Sequence, residues 1–320
     1  MIPEHDALAP AGIQAMHIAD LWWLMFWVCT GVFAMVMAAL AWGVWRAPRA
    51  SSETPFAMPE AKTEKRATRW VAVATTLSGV LLLGLLVASF LTDRALAMLP
   101  RNDAVNLKVT AHMWWWEVTY DDADPTRIFA TANEIYIPVG RPIVATLASD
   151  DVIHSFWVPS LAGKKDLIPG RPSTFMFRAD EPGEYRGFCA EFCGLQHAFM
   201  ALRVVAVPPS QYETWAQAQR QPAPEPADAL ATRGRSLFLS GSCMLCHAIQ
   251  GTSANARKAP DLTHVATRSR LAAGRLLNTP EDLARWIRDP QKIKAGVNMP
   301  AHPLGDDDMK ALVAYLGTLK

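Results

Sequence analysis

Between Asp20 and Arg46 lie 25 residues without a charge, LWWLMFWVCTGVFAMVMAALAWGVW, and between Arg69 and Asp93 lie 23 more, WVAVATTLSGVLLLGLLVASFLT. A helix needs about 20 residues to cross the hydrocarbon layer, and core helices of soluble proteins seldom run so long without charge. Both stretches are therefore expected to span a membrane. Trp22, Trp23, Trp45 and Trp70 sit near their ends, where interfacial aromatics collect. Residues 1–20 carry Glu4, Asp6 and Asp20 and no Lys or Arg, whereas the connecting loop holds Arg46, Arg49, Lys62, Lys65, Arg66 and Arg69. The positive-inside rule then makes the loop cytoplasmic and places both termini outside. A cleavable signal peptide would show positive residues ahead of a shorter apolar core, and this chain shows neither. The expected location is the bacterial inner (plasma) membrane, crossed twice, with the bulk of the chain on the periplasmic or extracytoplasmic side.

Beyond the second span, short β-branched and aromatic runs alternate with turn signals. The runs include NLKVTAHMWWWEVTY, RIFATANEIYIPV, PIVATLAS, DVIHSFWVP, STFMFRA, GEYRGFC and MALRVVAVP; DDADP, PVGRP, IPGRP and DEPGE separate them. Such spacing predicts an antiparallel sandwich or Greek-key barrel. QPAPEPAD then marks a semi-stiff linker. After it, ATRGRSLFL, TPEDLARWIRDP and DDDMKALVAYLGTLK carry helix signals, including a Thr cap and acids in first turns. The formal net charge is +1 over 320 residues, so no global field points to nucleic acid.

The chain has five cysteines. Cys29 lies in the first span as an expected inert thiol; the others form CxxxC (Cys189, Cys193) and CxxC (Cys243, Cys246). Two short-loop disulfides would stabilise little. CxxxC alone also fits a thiol redox pair or a zinc site. CAEFCGLQHAFM, however, offers Cys189, Glu191, Cys193, His197 and Met200 within twelve residues. Thiolate, imidazole and thioether together select copper in an electron-transfer site. Two thiolates can bridge two coppers, each needing one imidazole, and the loop holds only His197. His154, in SDDVIHSFWVPS, is the preferred second imidazole, and His112 ranks below it. Met200 would be one weak axial ligand and the carbonyl of Glu191 the other.

The segments HMWWWEVTYDD, DDVIHSFWVPSLAGKKDLIPGRP and GFCAEFCGLQHAFM resemble subunit II of haem–copper cytochrome c oxidase over about residues 15–215. The resemblance implies a CuA centre with Cys189 and Cys193 bridging, His154 and His197 terminal, Met200 axial and the Glu191 carbonyl contributing. It also implies a magnesium or manganese ion shared with subunit I through the Glu191 side chain. Trp114 matches the residue through which electrons enter from cytochrome c, and Asp166 matches an acidic docking position. Many relatives carry a glutamate at the cytoplasmic start of the second span; here that region is KTEKRATRW, with Glu64 the available acid.

CMLCH is an attachment signature for c-type haem, with Cys243 and Cys246 forming the thioethers and His247 the proximal ligand. Met299, in GVNMPAHPLG, is the preferred sixth ligand over His264 and His302; Met309 is expected to pack inside the last helix. The fold class expected is a multi-domain membrane protein with a two-helix transmembrane hairpin, an all-β cupredoxin-like Greek-key domain and an all-α cytochrome c domain. Its divisions are residues 1–20 outside, 21–92 the two spans and cytoplasmic loop, 93–215 the CuA domain, 216–228 the linker and 229–320 the cytochrome c domain. The fusion resembles caa-type oxidases. It implies the electron-input subunit of a proton-translocating oxidoreductase, with subunit I and other oxidase subunits as partners and cytochrome c or a similar donor. The oxygen-reducing site would lie in the partner subunit. A CuA subunit of a nitric oxide reductase is the alternative with the same chemistry; a membrane-anchored copper chaperone or thiol reductase lacks a reason for the haem motif.

Overall fold

The computed structural model describes residues 6–46, 61–97 and 100–320. Glu4 and Arg49 lie outside these. The chain divides into two compact units, His17–Leu99, and Met1–Met16 together with Pro100–Lys320.

In the first unit, α1 (Ile13–Arg46) and α2 (Ala61–Ala97) extend past the uncharged stretches at both ends. The opening turns of α2 carry Lys62, Glu64, Lys65, Arg66 and Arg69, so the basic segment is itself helical. Apolar side chains project outward around both helices; Phe33 is 65% exposed and Leu82 67%. A helix that is apolar on every side and uncovered by protein belongs in lipid.

In the second unit a ten-strand sandwich comes first. Its strands are β1 (Val105–His112), β2 (Trp115–Asp121), β3 (Phe129–Ala132), β4 (Glu134–Pro138), β5 (Ile143–Ser149), β6 (His154–Trp157), β7 (Lys165–Leu167), β8 (Ser173–Phe177), β9 (Gly183–Cys189) and β10 (Ala201–Val207). One sheet has the order β3-β2-β1-β5-β8 and the other β4-β10-β9-β6-β7. The β1–β5 and β10–β4 pairs are parallel; the remaining pairs are antiparallel. Alternation along the strands turns Leu107, Val109, Val118, Ile135, Leu147 and Val204 into the space between the sheets.

Two runs that look continuous in sequence are each two strands. NLKVTAHMWWWEVTY folds back at Met113–Trp114, and RIFATANEIYIPV breaks at Asn133, whose φ is 62°. The second break lets β3 and β4 join different sheets. The segment just before α1 lies along the sandwich, where the Ala11 N–H donates to the Ser160 carbonyl (2.7 Å) and the Asp180 N–H to that of Ala11 (2.8 Å).

Helix α3 (Pro209–Gln219) seats Trp215 on Tyr136, with ring centroids 4.5 Å apart. The second domain of this unit contains α4 (Ala229–Ser240), α5 (Pro280–Arg288), α6 (Pro290–Ile293) and α7 (Asp306–Thr318). Asp228 and Thr279 cap α4 and α5 through their side chains. Helices α4 and α7 cross at Gly234, where a Cβ would stand 2.0 Å from the Ala311 carbonyl oxygen. A small hairpin, β11 (Arg270–Leu271) with β12 (Leu276–Leu277), interrupts the helices. Its turn places Ala272 and Ala273 at φ 52° and 56°.

Candidate functional site

Strand β6 carries His154 into the core, and the loop between β9 and β10 brings Cys189, Cys193, His197 and Met200 beside it. The ligand atoms of His154, Cys189 and Cys193 lie within 4.8 Å of one another. The two sulfurs are 3.7 Å apart, too far for a disulfide. Nδ1 of His154 is 3.7 Å from the Cys189 Sγ, and Nδ1 of His197 is 3.6 Å from the Cys193 Sγ. The Met200 Sδ stands 3.9 Å from the Cys193 Sγ, and the Glu191 carbonyl oxygen 3.1 Å from the Cys189 Sγ. Two donors bound tetrahedrally at about 2.0–2.3 Å from one metal are separated by roughly 3.5 Å, so this donor set fits a soft metal pair. The protein presents one imidazole at each end of a pair of sulfurs.

Protonation shows how the pair behaves before metal arrives. A hydrogen bond from Cys193 draws the Cys189 thiol well below its ordinary range, burial opposes this, and His154 adds a second favourable contact. The same bond, with burial, pushes Cys193 up. Metal binding would displace the remaining proton. Burial works to lower the His154 pKa, but its contacts with Cys189 and Asp151 prevail and the net shift is upward. Nε2 of His154 lies 2.7 Å from the Asp151 Oδ1. That carboxylate fixes which ring nitrogen faces the sulfurs, a pattern common around metal-bound histidines.

Trp114 lies buried at the β1–β2 turn, its indole Nε1 donating to the Cys193 carbonyl at 2.8 Å. The Trp116 ring approaches His154 edge-on at 6.3 Å. His112 is held elsewhere, stacked on Trp115 at 4.4 Å and 3.3 Å from Glu117. The Glu191 carboxylate is half-exposed, 3.8 Å from the Lys164 Nζ, which also lies 3.7 Å from Asp166. Asp166 occupies strand β7, paired with Ser155.

In the helical domain, CMLCH forms a tight turn after α4, with the His247 N–H donating to the Cys243 carbonyl at 3.0 Å. Cys243 and Cys246 are free thiols, and burial pushes Cys243 up. The His247 Nδ1 is 2.7 Å from the Pro260 carbonyl oxygen, leaving Nε2 for a ligand. Burial lowers the His247 pKa and favours the neutral, ligating form. Met299 packs against the same core cluster as Cys243 and Met244. Gln291 braces its loop: its Oε1 accepts from the Gly296 N–H, and its Nε2 donates to the Val297 and Met299 carbonyls. The rival ligand His264 is buried with Nε2 3.1 Å from the Gln221 carbonyl, and Met309 packs inside the core.

Sequence reasoning missed Asp151, Gln291 and the Pro260 carbonyl. Asp151 had a signal, a carboxylate three residues before a candidate ligand. The other two act only through tertiary placement.

Comparison with known proteins follows the same division. A family model described as the periplasmic domain of cytochrome c oxidase subunit II matches residues 123–207, and one described as cytochrome c matches residues 231–320. The chain is 37% identical over 320 residues to cytochrome c oxidase subunit 2 of Alkalihalophilus pseudofirmus, covering 98% of this chain and 90% of that one. Subunit 2 from a Bacillus species is 32% identical over 265 residues, covering 77% and 73% respectively. Among solved structures, the periplasmic domain of subunit II of cytochrome oxidase of Bradyrhizobium japonicum is 30% identical, covers 38% of this chain and 97% of that one, and has a TM-score of 0.36.

Proposed function

The chain belongs to the cytochrome c oxidase subunit II family, and from that premise we propose how its residues carry electrons inward. It is the electron-input subunit of a haem–copper oxidase, an oxidoreductase complex, and associates with subunit I and other subunits. Family membership and the cytochrome c domain together imply a CuA centre and a haem c. It is membrane-anchored with extracytoplasmic domains. The hydrogen bonds between Ala11 and the sandwich support that arrangement, since they require the N-terminal segment and the copper domain to share one side of the membrane.

In this reading the Cys189 and Cys193 thiolates, the His154 and His197 imidazoles, the Met200 thioether and the Glu191 carbonyl would hold the coppers. Cys243 and Cys246 would attach the haem, and His247 and Met299 would ligate its iron. A methionine ligand raises the haem potential, which suits a donor to copper. Both centres supply reversible one-electron transfer when bound. Trp114, bonded to the Cys193 carbonyl of the copper loop, is where electrons would enter that loop. The half-exposed Glu191 carboxylate, now 3.8 Å from the Lys164 Nζ, would bind a magnesium or manganese ion at the boundary with subunit I. The route is an external donor such as cytochrome c, the haem domain, the copper domain, then subunit I, in a bacterial inner membrane.

The observation that carries this reading is the pair of unbonded sulfurs flanked by two Nδ1 atoms. Purification of the complex, followed by oxygen uptake with reduced cytochrome c, tests it. Uptake with subunit I present is expected. A complex that consumes nitric oxide but not oxygen would assign the chain to another acceptor.

A further inference from the structure

Where the haem domain meets the copper domain, the chain buries a lysine. Lys294 is 2% exposed, and its Nζ donates to the carbonyls of Trp114 (2.6 Å) and Ala272 (3.2 Å). No carboxylate among the described residues is paired with it, and burial lowers its pKa to about 7. Burying an amine with only carbonyls for company is costly, and an apolar side chain of like volume usually serves stability as well. The lysine therefore calls for a role other than stability.

The residues around it meet the copper domain. The Gln196 Nε2 donates to the Ala295 carbonyl at 2.7 Å. Gly296, at φ 85°, lies so near that a Cβ would stand 3.3 Å from Leu195 and 3.5 Å from the Trp114 ring. Val297 packs on the sandwich core. Farther out, the Ser269 N–H donates to the Glu134 Oε1 at 3.0 Å, and Arg275 stacks over Phe199 at 4.2 Å. Residues 294–299 thus run from the indole of Trp114 to Met299 in the haem-domain core. Lys294 ties three segments: this loop, the β11–β12 turn and the β1–β2 turn.

We propose that Lys294 is a positioning residue for electron transfer within the chain, pegging the Met299 loop to the Trp114 backbone so that the haem domain holds one transfer pose on the copper domain. This rests on the reading that Trp114 and Met299 lie on the electron route. Tunnelling falls steeply with distance, so a loosened peg converts a fixed gap into a fluctuating one. Lys294 touches no electron-carrying atom and acts through Trp114 and the loop.

The test uses the purified whole oxidase carrying Lys294→Met, with Lys294→Ala in its place if the first does not assemble. Hydrogen exchange is expected to quicken in peptides spanning 112–116 and 294–298 and to stay unchanged at 243–247. Electron transfer from haem c to copper, started by a flash-activated ruthenium donor, is expected to slow by roughly ten- to a hundredfold and to become viscosity-dependent. Both absorption spectra should remain in place. Wild-type exchange, or quickened exchange with wild-type transfer, would overturn the proposal. Trp114→Phe keeps the carbonyl that Lys294 binds and separates the two readings. Slowed transfer with unchanged exchange supports the route on which the peg rests; wild-type transfer beside a slowed Lys294→Met refutes the Trp114 route and leaves the peg standing.

Discussion

His154 binds nothing alone; Asp151 decides which of its nitrogens faces the sulfurs. Asp151→Asn keeps the size but loses the charge, and copper retention against a chelator should weaken about 10- to 100-fold. Unchanged retention would make Asp151 a structural turn residue. Cys193→Ser should abolish the mixed-valence copper signal in electron paramagnetic resonance while the haem c spectrum stays intact; loss of both would mean the sites are not separate. Met299→Leu should alter the axial state of the haem and lower its potential, and an unchanged spectrum would exclude Met299 as ligand. At this scale the candidates Cys189, Cys193, His197 and Met200, and Cys243, Cys246 and His247, were legible as candidates because they sit in short motifs with a chemical reason for their spacing, whereas His154 had to be sought 35 residues away from the loop. Lys294 was not. In QKIKAGVNMP it looks like any solvated cation, and its burial depends on carbonyls 180 and 22 residues away.

Elements were legible where one periodicity runs unbroken and illegible where the chain turns inside it. Alternation marked the strands of the sandwich, but the break at Asn133 depends on a left-handed residue that the run of β-formers conceals. The Thr279 cap and the acids opening α7 were legible because caps are local chemistry. The β11–β12 hairpin was not, since consecutive alanines at positive φ contradict local preference and are held by one bond from the copper domain and one from Lys294. The Ala201 N–H donates to the Ala273 carbonyl at 3.2 Å, and the Ala272 carbonyl receives Lys294. The crossing of α4 and α7 gives the clearest element-level expectation. Gly234→Ala drives a methyl into the Ala311 carbonyl and should destabilise the haem domain by about 1–3 kcal/mol, read as a lower denaturant midpoint in haem absorbance. An unshifted midpoint would show that the two helices can part without cost.

Taken whole, the chain is a membrane-anchored relay with two stations joined by a docked interface. Domain order was legible from the spans, the copper loop and the haem motif, each of which carries its own chemistry. Docking was not, because Lys294, Ser269 and Arg275 belong to no motif, and the motif residues Trp114, Gln196 and Phe199 do not announce in sequence what covers them. The relay has a single direct test. In the purified oxidase, electrons from reduced cytochrome c are followed by stopped flow while oxygen uptake is recorded, in wild type and in Cys193→Ser. In wild type, haem c should reoxidise as copper is reduced, and oxygen should fall in step. In the variant, haem c should fill and remain reduced while oxygen uptake stops. Oxygen uptake at the wild-type rate without the copper signal would contradict a route through Cys189 and Cys193.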